Sequence, residues 1–232
     1  MILENYKSGV ILVYSMPRSG TTLFGKYIQR KFDLLNAGEI FHDGDKRAQE
    51  TANRVLEQAN RENKDFICKY FPTDDMFDQS KFHGRKKFYT VNLVRKNIAK
   101  QFTSLIIAIT NNQWQTNGFG KFPSDLTRKH LDVDSMIMHK EFNKFVRNLG
   151  YKEKVDSKMQ YDEVLIYEDI INYLNENKQR DVVNIPSVKP SNYNFIYAET
   201  INLLKSYIKN NKSVPKIVTE WHEDFQKNGF KT

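Results

Sequence analysis

Val10-Ile11-Leu12-Val13-Tyr14-Ser15-Met16-Pro17-Arg18-Ser19-Gly20-Thr21-Thr22-Leu23 decides the fold. Residues 10–14 form a short, unbroken apolar run rich in β-branched side chains, the pattern of a parallel strand buried on both faces. A Pro/Ser/Gly-containing turn follows at 15–20, and the spacing then predicts a helix from Thr21 to Phe32 with Leu23, Tyr27 and Ile28 on one face. A helix entered this abruptly presents its free N–H groups at the end of the buried strand, where they favour an anion. Gly20 lets the backbone approach closely, Ser19, Thr21 and Thr22 add hydroxyls, and Arg18 adds a forked cation.

This is not the Walker A pattern, in which a lysine follows the last glycine. Here the cation precedes Gly20 and no lysine follows it, which disfavours ordinary ATP or GTP hydrolysis.

Outward from the loop, the pattern alternates. Residues 33–44 read as irregular, and Asp45 can cap a polar helix over 46–63. Strands are expected at 65–70 and 87–94, then a helix over 96–111 and a surface excursion over 112–130. A helix over 134–149, a fourth short strand at 163–167 with a helical turn after it, an irregular stretch over 177–192, and a helix over 193–209 follow. The tail from Val214 has room for one more short helix. Strands alternating with helices imply right-handed βαβ units and an α/β fold, a parallel sheet flanked by helices in three layers. With 232 residues, no repeat and no linker, the expectation is a single domain over 1–232.

The bulk numbers bound the partners. Thirty-six Lys and Arg against 28 Asp and Glu give a net charge of +8, which suits an anionic partner and equally suits a merely Lys-rich composition. The densest basic spot, Gly84-Arg85-Lys86-Lys87, is too short for a nucleic-acid tract, and no nucleic-acid partner is expected. Cys68, the single cysteine, lies in the apolar run Phe66-Ile67-Cys68 and reads as a buried structural thiol. One Cys and five scattered His do not suggest a zinc site. No stretch is long and apolar enough for a membrane span, and the N-terminus lacks a signal-peptide core, so a cytoplasmic location is expected. A domain cut from a longer anchored protein would read the same way.

The run Pro17-Arg18-Ser19-Gly20-Thr21-Thr22-Leu23 resembles the 5′-phosphosulfate loop of the sulfotransferases that use PAPS, 3′-phosphoadenosine-5′-phosphosulfate. Its arginine form is similar to the tyrosylprotein branch and to bacterial glycan and lipid branches. The resemblance implies a P-loop-like sulfotransferase fold, PAPS as co-substrate without a metal, and Arg18, Ser19, Gly20, Thr21 and Thr22 as its 5′ ligands. Arg95, ending the strand Val91-Asn92-Leu93-Val94, looks like the family's 3′-phosphate arginine, with Thr103 or Ser104 on the next helix as its hydroxyl partner. Those two hydroxyls differ by about 100° around a helix, so one of them faces the ligand. Lys189 and Ser191, in Ser187-Val188-Lys189-Pro190-Ser191-Asn192, resemble a loop that closes over the same phosphate. Tyr167-Glu168-Asp169 resembles a structural segment whose acids cap a helix and orient basic groups.

Sulfuryl transfer needs two positioned reactants, a base, and charge stabilisation on the sulfonate and bridging oxygens. Glu39, in Asn36-Ala37-Gly38-Glu39-Ile40-Phe41-His42, resembles the tyrosylprotein branch's Gly-Glu base, and His42 is the rival, with an imidazole suited to the task. Lys69 resembles the family lysine that assists the leaving group. Tyr70 and Phe71 stand where small-molecule branches place a catalytic histidine, which shifts the base to Glu39. The acceptor, whether carbohydrate, lipid, small molecule or peptide, is not legible; Trp114, Phe119 and Phe122 lie in a segment that matches nothing. Two other readings stand beside this one: an atypical P-loop kinase or NTPase that needs Mg²⁺, and a non-catalytic nucleotide or nucleic-acid binder with steep salt dependence.

Overall fold

A computed structural model describes residues 2–39, 46–71, 87–111, 130–177 and 189–228. The chain divides into two compact units, residues 1–95 with 155–184, and residues 96–154 with 185–232.

The first unit holds five parallel strands: β1 (Val10–Ser15), β2 (Leu35–Gly38), β3 (Phe66–Tyr70), β4 (Phe88–Val94) and β5 (Glu163–Ile166), in the order β2-β3-β1-β4-β5. All six residues of β1 are buried, as expected of a central strand covered on both faces. Val10 and Leu12 share a cluster with Phe66 and Cys68 of β3 and with Leu56 and Ala59 of helix α2 (Lys46–Arg61). Alternation turns Ile11 and Val13, with their register partners Ile67 and Lys69, to the opposite face. Helix α1 (Thr21–Phe32) covers that face and meets β3 there. Two helical layers thus enclose the sheet, and the α/β reading holds. β1 connects to β2 on one side of the sheet while β4 leads to β5 on the other. The C-terminal ends of β1 and β4 therefore form a topological switch point, the crevice where open α/β sheets bind ligands.

Two sequence expectations need correction in this unit. The stretch read as irregular contains β2, four residues long on the sheet edge, with a register shift between Asn36 and Gly38. A bulged edge strand this short shows no alternation to read. The helical turn expected after β5 is a full helix, α5 (Tyr167–Glu176), which buries Ile170 and Leu174 and sets Tyr173 edge-on to Tyr27 at 6.4 Å between ring centres.

The second unit consists of α3 (Ile98–Thr110), α4 (Ser135–Asp156), α6 (Tyr193–Asn210) and α7 (Lys216–Asn228). Phe102 packs on Phe142 and Phe145, with ring centres 5.3 Å apart in both pairs. The side chain of Asn97 accepts from the Lys100 N–H and caps α3. Asp134 does the same for α4, accepting from the N–H groups of Met136 and Ile137. Gly150 marks an expected helix end, yet α4 continues to Asp156. Tertiary contact overrides the local signal: Pro215 lies beside Gly150, and Glu153 accepts from the Lys216 N–H at 3.0 Å. Val218 and Trp221, both buried, anchor α7. Among the described residues no helix is long and apolar enough to cross a membrane.

Candidate functional site

The loop after β1 is held in an unusual backbone path. Arg18 has φ 64° and Gly20 φ 83°, both left-handed. The Ser19 N–H turns back to the Met16 carbonyl at 3.3 Å, and the Phe24 N–H starts the α1 ladder on the Gly20 carbonyl at 3.0 Å. Among the described residues, the N–H groups of Gly20, Thr21 and Thr22 have no loop or turn carbonyl as acceptor, as a helix start requires. No acidic residue occupies the first turn of α1. The first turn of α1 thus offers donors and carries no acid of its own.

Glycine at position 20 answers two constraints. Its φ disfavours any side chain, and a Cβ placed there would lie 2.1 Å from ring carbons of Tyr167. Gly20→Ala should therefore lower the unfolding free energy by ~2–5 kcal/mol, combining left-handed strain with overpacking. Urea denaturation measures this, and a loss below about 0.5 kcal/mol, the usual scatter for a surface change, would contradict the geometry.

Lys69 reaches the loop from β3. Its register partner Val13 fixes the face on which it stands, and its Nζ donates to Thr22 Oγ1 at 3.3 Å. The same Nζ lies 3.7 Å from Glu39 Oε1. Lys69 is 8% exposed, and burial pushes its pKa below the ordinary lysine value. The Glu39 carboxylate opposes that shift, while Arg18 and Lys26 add to it. Glu39 follows the bulged end of β2, where Gly38 has φ 67° and its N–H bonds Asn36 Oδ1 at 3.0 Å. The bulge aims the next side chain inward from the edge strand.

On the other side of the loop, Arg95 extends from β4. Its Nη1 donates to the Arg18 carbonyl at 2.9 Å, and its guanidinium lies 4.9 Å from the centre of the Tyr167 ring. The Arg18 pKa is lowered, first by burial and then by the charge of Arg95. A second positive charge near Arg18 disfavours its charged form.

Arg18, Ser19, Gly20, Thr21, Thr22, Glu39, Lys69 and Arg95 all belong to the first unit, and the contacts above link the loop directly to Lys69 and Arg95 and, through Lys69, to Glu39. Tyr167 is the site residue that the sequence reading missed. Its signal was its place, the first residue after a strand at the sheet's C-terminal edge, beside β4. Glu168 and Asp169 stand in the first turn of α5, where acids suit the helix dipole. Tyr70 stacks on Tyr14 with ring centres 5.4 Å apart, and Cys68 is fully buried, which pushes its thiol pKa up.

Thr103 and Ser104 lie on α3 of the second unit. Thr103 is buried and donates to Thr200 Oγ1 at 3.1 Å, a bond between α3 and α6 that leaves it a packing role, whereas Ser104 is half-buried. Lys189 and Ser191, also in the second unit, are exposed, and the Lys189 ammonium sits 4.7 Å from the centre of the Tyr193 ring. His42, Trp114, Phe119 and Phe122 fall outside the described residues.

No protein-family model matches the chain. No curated protein matches it either. Among solved structures it is similar to an uncharacterized protein from Eubacterium ventriosum, with a TM-score of 0.36 and 11% identity over 72% of this chain and 99% of that one. It is also similar to a sugar kinase from Janibacter, with a TM-score of 0.31 and 10% identity over 78% of this chain and 100% of that one. Likenesses this distant carry neither fold nor activity, so the functional reading rests on the residues themselves.

Proposed function

We propose that this protein is a sulfotransferase that moves a sulfonate group from PAPS to a hydroxyl or amine of an acceptor. The observation that carries the reading is the position of Lys69, a buried cation that touches a hydroxyl of the anion loop and a carboxylate at once. In this reading Arg18 and the N–H groups of Gly20, Thr21 and Thr22 hold the phosphosulfate. Lys69 sets its charge against the oxygen that departs with the nucleotide. Glu39 takes the proton from the acceptor as the new bond to sulfur forms and the old sulfur–oxygen bond breaks. The Arg95 charge that lowers the Arg18 pKa, together with the Arg95 bond to the Arg18 carbonyl, supports a site for an anion at this loop. In this reading Arg95 holds the 3′-phosphate.

Thermal unfolding tests this against the two other readings. Adenosine 3′,5′-bisphosphate at a hundredfold excess over its Kd should raise the melting temperature by about 5–10 °C. ATP with Mg²⁺ and a DNA oligomer should give less. A shift with ATP·Mg²⁺ alone would favour phosphoryl transfer, and a salt-sensitive shift with DNA alone would favour a nucleic-acid binder.

A further inference from the structure

We propose that Arg95 and Tyr167 form a clamp that holds the anion loop in its binding shape, so that Arg95 positions the 5′ end of the donor whatever it does at the 3′ end. Three contacts and the chain between Arg18 and Gly20 close a ring. The Tyr167 ring abuts Gly20 so tightly that no side chain fits there. Arg95 lies against that same ring at 4.9 Å. Its Nη1 donates to the Arg18 carbonyl at 2.9 Å. Arg18 and Gly20 are joined through Ser19, whose N–H bonds back to Met16.

The backbone needs such a clamp. Arg18 is a non-glycine residue at φ 64°, a conformation that persists only where its surroundings impose it. A charge-assisted bond to the carbonyl of that residue is the most direct means of imposing it. The ring of Tyr167 then blocks the loop from swinging outward at Gly20. Arg95 keeps donors for a ligand while doing this, since its Nε is buried without a hydrogen-bond partner among the described residues. A guanidinium with five N–H groups can bond a carbonyl and a phosphate together.

The inference rests on the reading of the loop as the 5′ site of the donor. Adenosine 5′-phosphosulfate, which lacks the 3′-phosphate, separates the two roles of Arg95. Calorimetric titration of this probe into the wild-type chain, Arg95→Met, Tyr167→Ala and the double variant forms a cycle. Each single variant should bind it about tenfold more weakly, the worth of one charge-assisted hydrogen bond, and the double variant no more weakly than the worse single one. Arg95→Met keeps packing on the ring while removing the donors, and if Tyr167→Ala melts below the assay temperature, Tyr167→Leu takes its place in the cycle. Unchanged affinity for adenosine 5′-phosphosulfate in Arg95→Met, with the 3′,5′-bisphosphate weakened, would confine Arg95 to the 3′-phosphate and overturn the clamp. Additive losses in the double variant would overturn it too. A wild-type chain that binds neither nucleotide would sink the donor reading and the clamp together, before any variant is compared.

Discussion

Glu39→Gln is expected to slow sulfonate transfer by ~10²–10⁴-fold, the range lost with a positioned general base, while the affinity for adenosine 3′,5′-bisphosphate stays near normal. Glutamine keeps the shape and a hydrogen-bonding oxygen but takes no proton from an acceptor at neutral pH. Glu39 lies outside the loop and, among the described residues, meets it through Lys69 at 3.7 Å, so nucleotide binding has little reason to change. A second consequence is specific to this geometry. The carboxylate raises the pKa of Lys69 against the effect of burial, so its removal should let that pKa fall further. Residual activity in Glu39→Gln should then decline with rising pH earlier than in the wild type, as Lys69 loses its charge sooner. Steady-state rates across an alkaline pH series measure both effects. A silent Glu39→Gln together with an inactive His42→Ala would transfer the role of base to His42.

The sequence carried the centre of the sheet better than its edges. β1, the loop and α1 were legible because a continuous apolar run, a glycine and a helical stripe each have one physical reading, and α1 has the bounds expected of it, Thr21–Phe32. β2 was not, because four bulged residues on an edge carry no period. That omission matters for the site, since the bulge is what directs Glu39 toward Lys69. Resemblance placed both residues in the reaction without placing them beside each other. Tyr167 escaped for another reason: its role lies in excluding a side chain at position 20 and backing Arg95, and neither act leaves a mark in composition. Thr103 and Ser104 were both candidates in sequence, and the bond of Thr103 to Thr200 forms only once α6 is packed on α3.

Lys69→Met should cost activity about 10²-fold or more and yet leave the protein no less stable, or more so, at neutral pH. The loss of rate follows from removing the charge set against the departing oxygen. The gain in stability follows from where Lys69 stands. Its pKa is depressed, chiefly by burial, so the folded chain binds the proton more weakly than the unfolded chain does. Below the folded pKa both states are protonated and the full cost of burying the ammonium is present. As pH rises through the folded pKa toward the ordinary value of 10.5, the unfolded chain holds more protons, and wild-type stability rises relative to the variant. Methionine removes the buried charge and keeps much of the bulk. The carboxylate it leaves behind is 22% exposed, so water meets part of the loss. The melting temperature of Lys69→Met should therefore match or exceed that of the wild type at pH 7, with the gap narrowing toward pH 10.5. A variant that is both inactive and markedly less stable at pH 7 would make Lys69 a structural ion-pair partner of Glu39. A variant that is stable and fully active would remove Lys69 from the chemistry. The combination of lost rate and kept stability is the outcome for a lysine retained for catalysis at a cost to the fold.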